Sequence, residues 1–444
     1  MISETEEVVG AGGVLELERA GGRVYIHGMV EHVRDLASGP DGRRLEVILR
    51  SPLHRLVHTV QSRVFLGRRV DEIAEEVLRG GGFEAADFQL RLQGRYPARE
   101  YVVQYNESDY AFLLRQLTWW GLWWFFEQDE SGARLVITDH NGAGGELAGG
   151  LVYHARSGTV RGRETVLRLG RRGRLLTEAV SLSDYNYRTP EAGLTAEARR
   201  ACGPAGCGEA RVWGSHHGDL DEGEQLVRLR REALDWRRET VVARTDSRGL
   251  APGLRVSLSG HGGLDGDYLV VEVAHEAEQE SARPRGPEQT GPTYENEAVL
   301  VRLEVPYRTP VEREDIQIPR PPASFTARVE TTGGEYAHLD EEGRYRIRLP
   351  FDPSDTPAGQ GSHPVRMMQP FVGARYGFHF PLRPGTEVLV GCINGDLDRP
   401  VILGAVHNAA TPNPVTAANA SQHILRTAAG HELLMEDRRG EERI

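Results

Sequence analysis

The chain has 444 residues, 39% hydrophobic and 27% charged, the balance of a folded protein too long for one hydrophobic core, and about three domains are expected. No basic block offsets its formal net charge of −12, so nucleic acid and anionic membranes are disfavoured as partners. Every Lys/Arg-type cation is an arginine, which excludes chemistry built on a P-loop or Schiff-base lysine.

The three cysteines are too few for a disulfide scaffold, and a reducing compartment is expected. The opening MISETEEVVG is acidic and lacks an apolar signal core, and no run approaches eighteen uncharged apolar residues. Neither a signal peptide nor a membrane span is expected.

Along the chain, Val24, Ile26 and Gly28 share one strand parity, with residues 43–50 as the expected partner strand. In VDEIAEEVLRGGGF the period changes, placing Ile73, Ala74, Val77 and Leu78 on one helical face that ends at Gly80 to Gly82. EYVVQYNESDYAFLLRQLTWWGLWWFFEQDE then reads as strand, helix and strand. Ser108 is the expected N-cap, Tyr110, Leu113, Leu114, Leu117 and Trp120 form the stripe, and Gly121 closes the helix. Trp123 to Phe126 are apolar on both parities, which predicts a strand buried on both faces. Trp119 and Trp120 sit at the helix end, where at most one can follow the Leu113/Leu117 stripe. Residues 141–150 form a glycine-rich turn of no nucleotide-binding form, and β segments run from Glu178 to about Tyr307 around one helix, DEGEQLVRLRREALDWRRET. A Pro/Gly-rich excursion (279–292) and a stiff IPRPP linker (318–322) precede short, evenly spaced strands that predict a small closed barrel.

No catalytic constellation emerges. Cys202 and Cys207 with His216 and His217 approach a zinc spacing, but adjacent imidazoles do not both turn inward and a fourth ligand is missing. Incidental thiols in a Gly-rich loop are the favoured reading, and Cys202, Cys207 and His216 stay as weak metal candidates. His431-Glu432 begins a zincin motif that fails at Met435, and no G-x-S-x-G occurs. Asp396 and Asp398 in NGDLDRP could hold calcium or serve glycoside hydrolysis, yet a solvated turn is the expected reading. His275 is expected to be structural. Neither catalytic residue nor cofactor is expected.

Several blocks together resemble the VgrG family, the hub-and-spike proteins of type VI secretion and related contractile injection machines. YVVQYNESDYAFLLRQLTWWGLWWFFE resembles its strand–helix–strand block, VSLSDYNYRTP its entry into a second barrel, and LDGDYLVVEVAHE with TYENEAVLVRLEVPYRTP its exit. DEEGRYRIRLPFD, GFHFPLRPGTEVLVGCINGDLDRPVILGAVHN and TAAGHELLMED resemble its oligonucleotide/oligosaccharide-binding (OB) barrel and the neck beyond. The blocks occur in order over nearly the whole chain.

The resemblance implies a mainly β fold, an α+β hub. Two tube-like β-barrel hub domains with inserted helices precede a small OB-fold barrel and the start of a triple-stranded β-helical needle. The expected boundaries are 1–175, without the family's first strands, and 176–310 for the hub, a linker at 311–324, the OB fold at 325–410 and a neck at 411–444, the needle being absent. The implied role is a non-enzymatic homotrimer that caps an Hcp-like inner tube, adapts sixfold to threefold symmetry and delivers effector proteins. A PAAR-like tip would join through the needle, with no nucleic acid bound and no stable membrane insertion. Assembly would be cytoplasmic, followed by injection into a target cell. A contractile phage baseplate hub, and then a spike bearing a cell-wall hydrolase, are the alternatives. Trp119 and Trp120 stand where the family commonly has acidic residues, so they are expected to form a patch facing a neighbouring subunit, a tube protein or an effector.

Overall fold

The computed structural model describes residues 8–19, 22–39, 42–154, 164–200, 206–278, 293–310, 319 and 324–444. The Pro/Gly-rich excursion at 279–292 and most of the expected 311–324 linker lie outside the described residues. Strand accounts for 44% and helix for 13%, so the chain is mainly β as expected. It divides into two compact units: Met1–Gln61, Arg69–Ala98 and Asn106–Ile318 form the first, and Ser62–Arg68, Arg99–Tyr105 and Pro319–Ile444 the second. This division differs from the boundaries read along the sequence at two places. The 175/176 boundary falls within the first unit, because one six-stranded sheet takes Leu151–Val152 and Val166–Gly173 from before it and four strands from after it. The barrel at the C-terminal end, in turn, contains two short segments from the first quarter of the chain.

In the first unit, the six-stranded sheet runs in the order Val166–Gly173, Glu239–Thr245, Thr293–Arg302, Gly266–Glu278, Arg255–Ser259, Leu151–Val152. Period-2 alternation sends Val241, Ala243, Val256, Leu258, Tyr268, Val270, Ala298 and Leu300 into one core. The intervening parity turns Leu269 the other way, against Trp123, Phe125 and Val136. The aromatic strand Trp123–Asp129 therefore lies over the second face of this sheet. Gly253 permits that approach: it adopts φ +92°, and a Cβ there would stand 2.3 Å from Phe125 Cγ. Both-face burial of the aromatic strand is half realised, since Trp123 and Phe125 are 2% and 4% exposed while Trp124 and Phe126 are half-buried.

Three α-helices occur among the described residues: α1 (Val70–Gly80), α2 (Asp109–Trp119) and α3 (Leu220–Asp235). Ile73, Ala74, Val77 and Leu78 on α1 are at most 1% exposed, the face that the 3.6-residue period predicts. Ser108 caps α2 as expected, its hydroxyl accepting the Ala111 N–H at 3.1 Å. Leu113, Leu114 and Leu117 are buried beneath it. Gly121 closes α2 in the left-handed region at φ +66°, and an added Cβ would come within 2.9 Å of Leu229 on α3. A side chain at 121 would be strained and would also collide with its neighbour helix.

The tyrosine-arginine-threonine-proline sequence, 307–310, is clamped onto this unit. The Tyr307 ring meets Trp123 edge-on at 5.1 Å and Trp236 at 4.9 Å. Trp236 Nε1 donates to the Arg308 carbonyl at 2.9 Å, and Arg308 Nε donates to Glu232 at 2.7 Å. The same guanidinium also donates to the Asp139 carbonyl. Asp139 itself is buried and accepts the N–H groups of Gln93 and Gly94 and the Tyr96 hydroxyl. Burial alone would raise its carboxyl, but these donors and the Arg308 charge outweigh it and hold the group below the ordinary carboxylate range. A depressed folded-state value contributes stability in full above the unfolded carboxylate pKa of about 3.9, and loses it as pH falls through the folded value. Asp139→Asn is accordingly expected to destabilise the protein at neutral pH and to flatten the acid limb of its stability–pH profile, measured by thermal melts from neutral pH downward.

The second unit is a small β-barrel-like body. Its four-stranded sheet runs Ile347–Arg348, Phe325–Val329, Glu387–Cys392, Pro400–Ala405. A second sheet pairs Val60–Arg68 with Arg99–Ser108, and their segments Ser62–Arg68 and Arg99–Tyr105 belong here. Tyr101 and Val103 enter one core with Ala327, Val329, Tyr345, Ile347, Val388, Val390 and Ile402, while Val64, Leu66 and Tyr105 pack at its margin. Beyond the barrel, Gln422–Arg426 pairs with Glu432–Glu436 in a hairpin of the expected neck.

Candidate assembly surfaces

Cys202 lies outside the described residues, and Cys207 is an exposed thiol. His216 sits in a left-handed turn (φ 55°) with its backbone N–H donating to Asp184 Oδ2 at 2.5 Å. Its neighbour His217 points inward instead, 3% exposed, with Nδ1 2.9 Å from Ser215 Oγ and Nε2 3.3 Å from the Leu194 carbonyl. His275 contacts the Tyr294 hydroxyl through Nδ1 at 2.7 Å, and burial lowers its pKa, an inward hydrogen-bonding role.

The tryptophan patch requires correction. Trp120 is 1% exposed and its ring meets Tyr96 edge-on at 5.7 Å. The bend at Gly121 carries the Trp120 ring under the unit, along the stripe of Leu113, Leu114 and Leu117, so it cannot offer a docking surface. Trp119, by contrast, is half-buried. Arg230 lies over its ring at 5.1 Å and donates to its carbonyl at 2.8 Å. These two contacts orient Trp119 on α3 of its own chain.

The expectation for Asp398 also changes. Its carboxylate is 8% exposed, not solvated; Oδ1 accepts the Val103 N–H at 2.7 Å, and Arg99 stands 3.8 Å from Oδ2. The NGDLDRP turn thus supplies a polar anchor for the Arg99–Ser108 strand, with Asp396 Oδ1 accepting the Asp398 N–H at 2.9 Å to set the turn. Replacing a charged acceptor of a buried N–H costs about 1–3 kcal/mol. Asp398→Ala is expected to destabilise the second unit by that amount and Asp398→Asn by less, as measured by denaturant melts.

What the geometry does present is apolar surface. In the first unit, the three-stranded sheet Gly12–Arg19, Gly22–Gly39, Gly42–Arg50 exposes Val14, Leu15, Leu36, Leu45, Val47, Ile48 and Leu49 by 37–50%. The Gly42–Arg50 strand carries Leu45, Val47 and Leu49 on one parity, with Ile48 among charged residues on the other, and among the described residues the two outer strands are each paired on one side only. A free edge flanked by apolar side chains is a template for further pairing. In the second unit, Phe371, Val372, Tyr376, Phe378 and Phe380 are 44–73% exposed, and in the neck Leu433 and Met435 are 49% and 37% exposed. No helix among the described residues is long and apolar enough to cross a membrane.

Comparison with known proteins bears on what covers these apolar surfaces. Residues 3–281 match the family model of the phage tail baseplate hub (GPD), and residues 335–407 match the type VI secretion system/phage-baseplate injector OB domain. Two type VI secretion system spike proteins of Pseudomonas aeruginosa are similar over nearly the whole of this chain. VgrG1b is 29% identical over 438 residues, covering 96% of this chain and 58% of that protein. VgrG1c is 30% identical over 447 residues, covering 97% and 60%. The chain thus spans about six-tenths of the length of these relatives. Among solved structures, the E. coli c3393 protein superposes with a TM-score of 0.62 at 25% identity, over 91% of this chain and 90% of that one. That protein is a component of the type VI secretion system, with structural similarity to the T4 bacteriophage tail proteins gp27 and gp5.

Proposed function

Because this chain belongs to the VgrG family, we propose that it works as the structural hub of a type VI secretion spike. It assembles as a homotrimer and caps the Hcp-like inner tube, adapting sixfold to threefold symmetry. Its work is mechanical, with effector proteins as cargo and no catalytic step of its own. In a longer chain, a PAAR-like tip would be carried by the needle beyond the neck. Assembly takes place in the cytoplasm, and the machine then drives the hub into a target cell.

One observation carries the reading: a baseplate-hub match over 3–281 is followed in the same chain by an injector OB match over 335–407. A hub must present a broad ring of surface to the tube and to its own copies, and it must do so without exposed sheet edges once assembled. The apolar sheet at 12–50 and the aromatic hairpin at 371–380 are unstable as permanent water-facing surfaces and make sense as faces that copies cover. The phage baseplate hub shares this architecture, and the description of the matching hub family keeps it as the second reading.

The test is direct. The purified chain is mixed with hexameric rings of an Hcp-like tube protein and imaged by negative-stain electron microscopy. Coaxial caps, one on the end of each ring stack, are expected. Rings that remain bare across a titration of the chain would overturn the reading.

A further inference from the structure

The second unit is not made by the last part of the chain alone. The chain passes between the two units at 61/62, 68/69, 98/99 and 105/106 as well as at 318/319. A domain boundary ordinarily falls in a linker that few contacts cross. Here two strands cross it: Val60–Arg68 and Arg99–Ser108 each have one end in either unit. The second leaves at Asn106, which bends in the left-handed region at φ 47°, and runs on into the Ser108 cap of α2.

Arg99–Tyr105 is held by residues far along the chain, with one anchor at every second position. The Tyr101 ring lies 4.6 Å from that of His363, and the Tyr105 ring meets Phe351 edge-on at 5.1 Å. Between them Val103 enters the cluster of Val329, Ile347, Val388 and Val390. Tyr101 and Val103 are 3% and 1% exposed. Asp398 adds the polar tie, accepting the Val103 N–H at 2.7 Å with Arg99 3.8 Å away. On the intervening parity Gln104 is buried and accepts from Arg63 Nε at 2.8 Å, which ties in the Val60–Arg68 strand. Pockets for alternate side chains combined with main-chain hydrogen bonding are the way folded bodies take up an extended segment of another chain.

We propose that residues 319–444 are a strand-accepting body completed by Arg99–Tyr105, and that this seat joins the two parts of the chain even when the covalent link between them is cut. The segment it takes is extended, with aromatic side chains two positions either side of a β-branched one whose N–H is offered to Asp398. The occupant is the chain's own strand, because Tyr101, Val103 and Tyr105 fill the seat. The inference deepens the hub reading above without resting on its partners: thrust reaches the barrel along a strand as well as through the linker.

Cutting the linker of the whole protein tests it. A recognition site for a sequence-specific protease is inserted between Asp315 and Ile316. The purified chain is cleaved and passed over a sizing column with mass detection. The two fragments are expected to elute together, one to one, with the mass of the uncut protein, and to part only in denaturant. A C-terminal fragment that elutes apart in native buffer would overturn the seat and leave the hub reading standing. Fragments that stay together yet leave tube rings bare would do the reverse. Asp398→Ala and Tyr101→Ala, each built into the same chain before cleavage, are expected to lower the urea concentration at which the fragments part by about 1 M or more. Val60→Asp, at a 63% exposed position, is expected to leave it unchanged. Fragments that hold together equally well in all three variants are joined by some other surface, and that result would also overturn the seat.

Discussion

Replacing Trp120 with alanine is expected to destabilise the first unit by about 3–5 kcal/mol, the usual cost of emptying a large buried aromatic site. The residue is 1% exposed, rests edge-on against Tyr96, and sits beside Leu113, Leu114 and Leu117, none more than 1% exposed. α2 ends immediately before it and Gly121 locks the turn after it, so the surroundings have little freedom to collapse into the void. Denaturant unfolding followed by hydrogen exchange over 69–138 measures the loss. Trp119→Ala is expected to cost about 1 kcal/mol, because what it surrenders is chiefly the stack under Arg230. If Trp120 were instead a docking residue, its replacement would leave folding intact and abolish only assembly.

The second large effect is long-range in sequence. Val103→Asp is expected to unfold the second unit, although most of that unit begins at Pro319. Val103 is 1% exposed within the cluster of Val329, Ile347, Val388 and Val390. An unpaired carboxylate there costs on the order of 4 kcal/mol or more, a large share of the ~5–15 kcal/mol that holds a domain together. Limited proteolysis read by mass spectrometry should show new cleavage throughout 325–405. Val60→Asp, at a 63% exposed position on the partner strand, serves as the control and should change stability by no more than about 0.5 kcal/mol.

The two results mark where sequence reasoning carried and where it stopped. Periodic features were legible because their cause is local. The α1 face of Ile73, Ala74, Val77 and Leu78, the Ser108 cap and the Gly121 stop each follow from a few neighbouring residues. The strand that begins this block was equally legible, but not which core its Tyr101 and Val103 enter, since most of their partners there lie more than two hundred residues away. Asp398 failed for the same reason. A Gly/Pro-bounded acidic turn looks solvated until the Val103 N–H, 295 residues earlier, is placed against it. Trp120 failed differently. Only one of two adjacent tryptophans can follow the stripe, and the buried ring of Trp120 is the one that does, whereas the resemblance treats the two as a pair. The aromatic hairpin at 371–380 carried a signal that was available: Phe371, Tyr376, Phe378 and Phe380 crowd a segment too short and too rich in Gly and Pro to bury them.

The account stands on the claim that these uncovered strands and rings are faces made for copies of the same chain. Multi-angle light scattering of the purified protein weighs that claim most directly. Three copies of the 49.2 kDa chain, about 148 kDa, is the mass the account predicts. A single species of 49.2 kDa at every concentration, with its apolar sheet and hairpin still open to water, would contradict it.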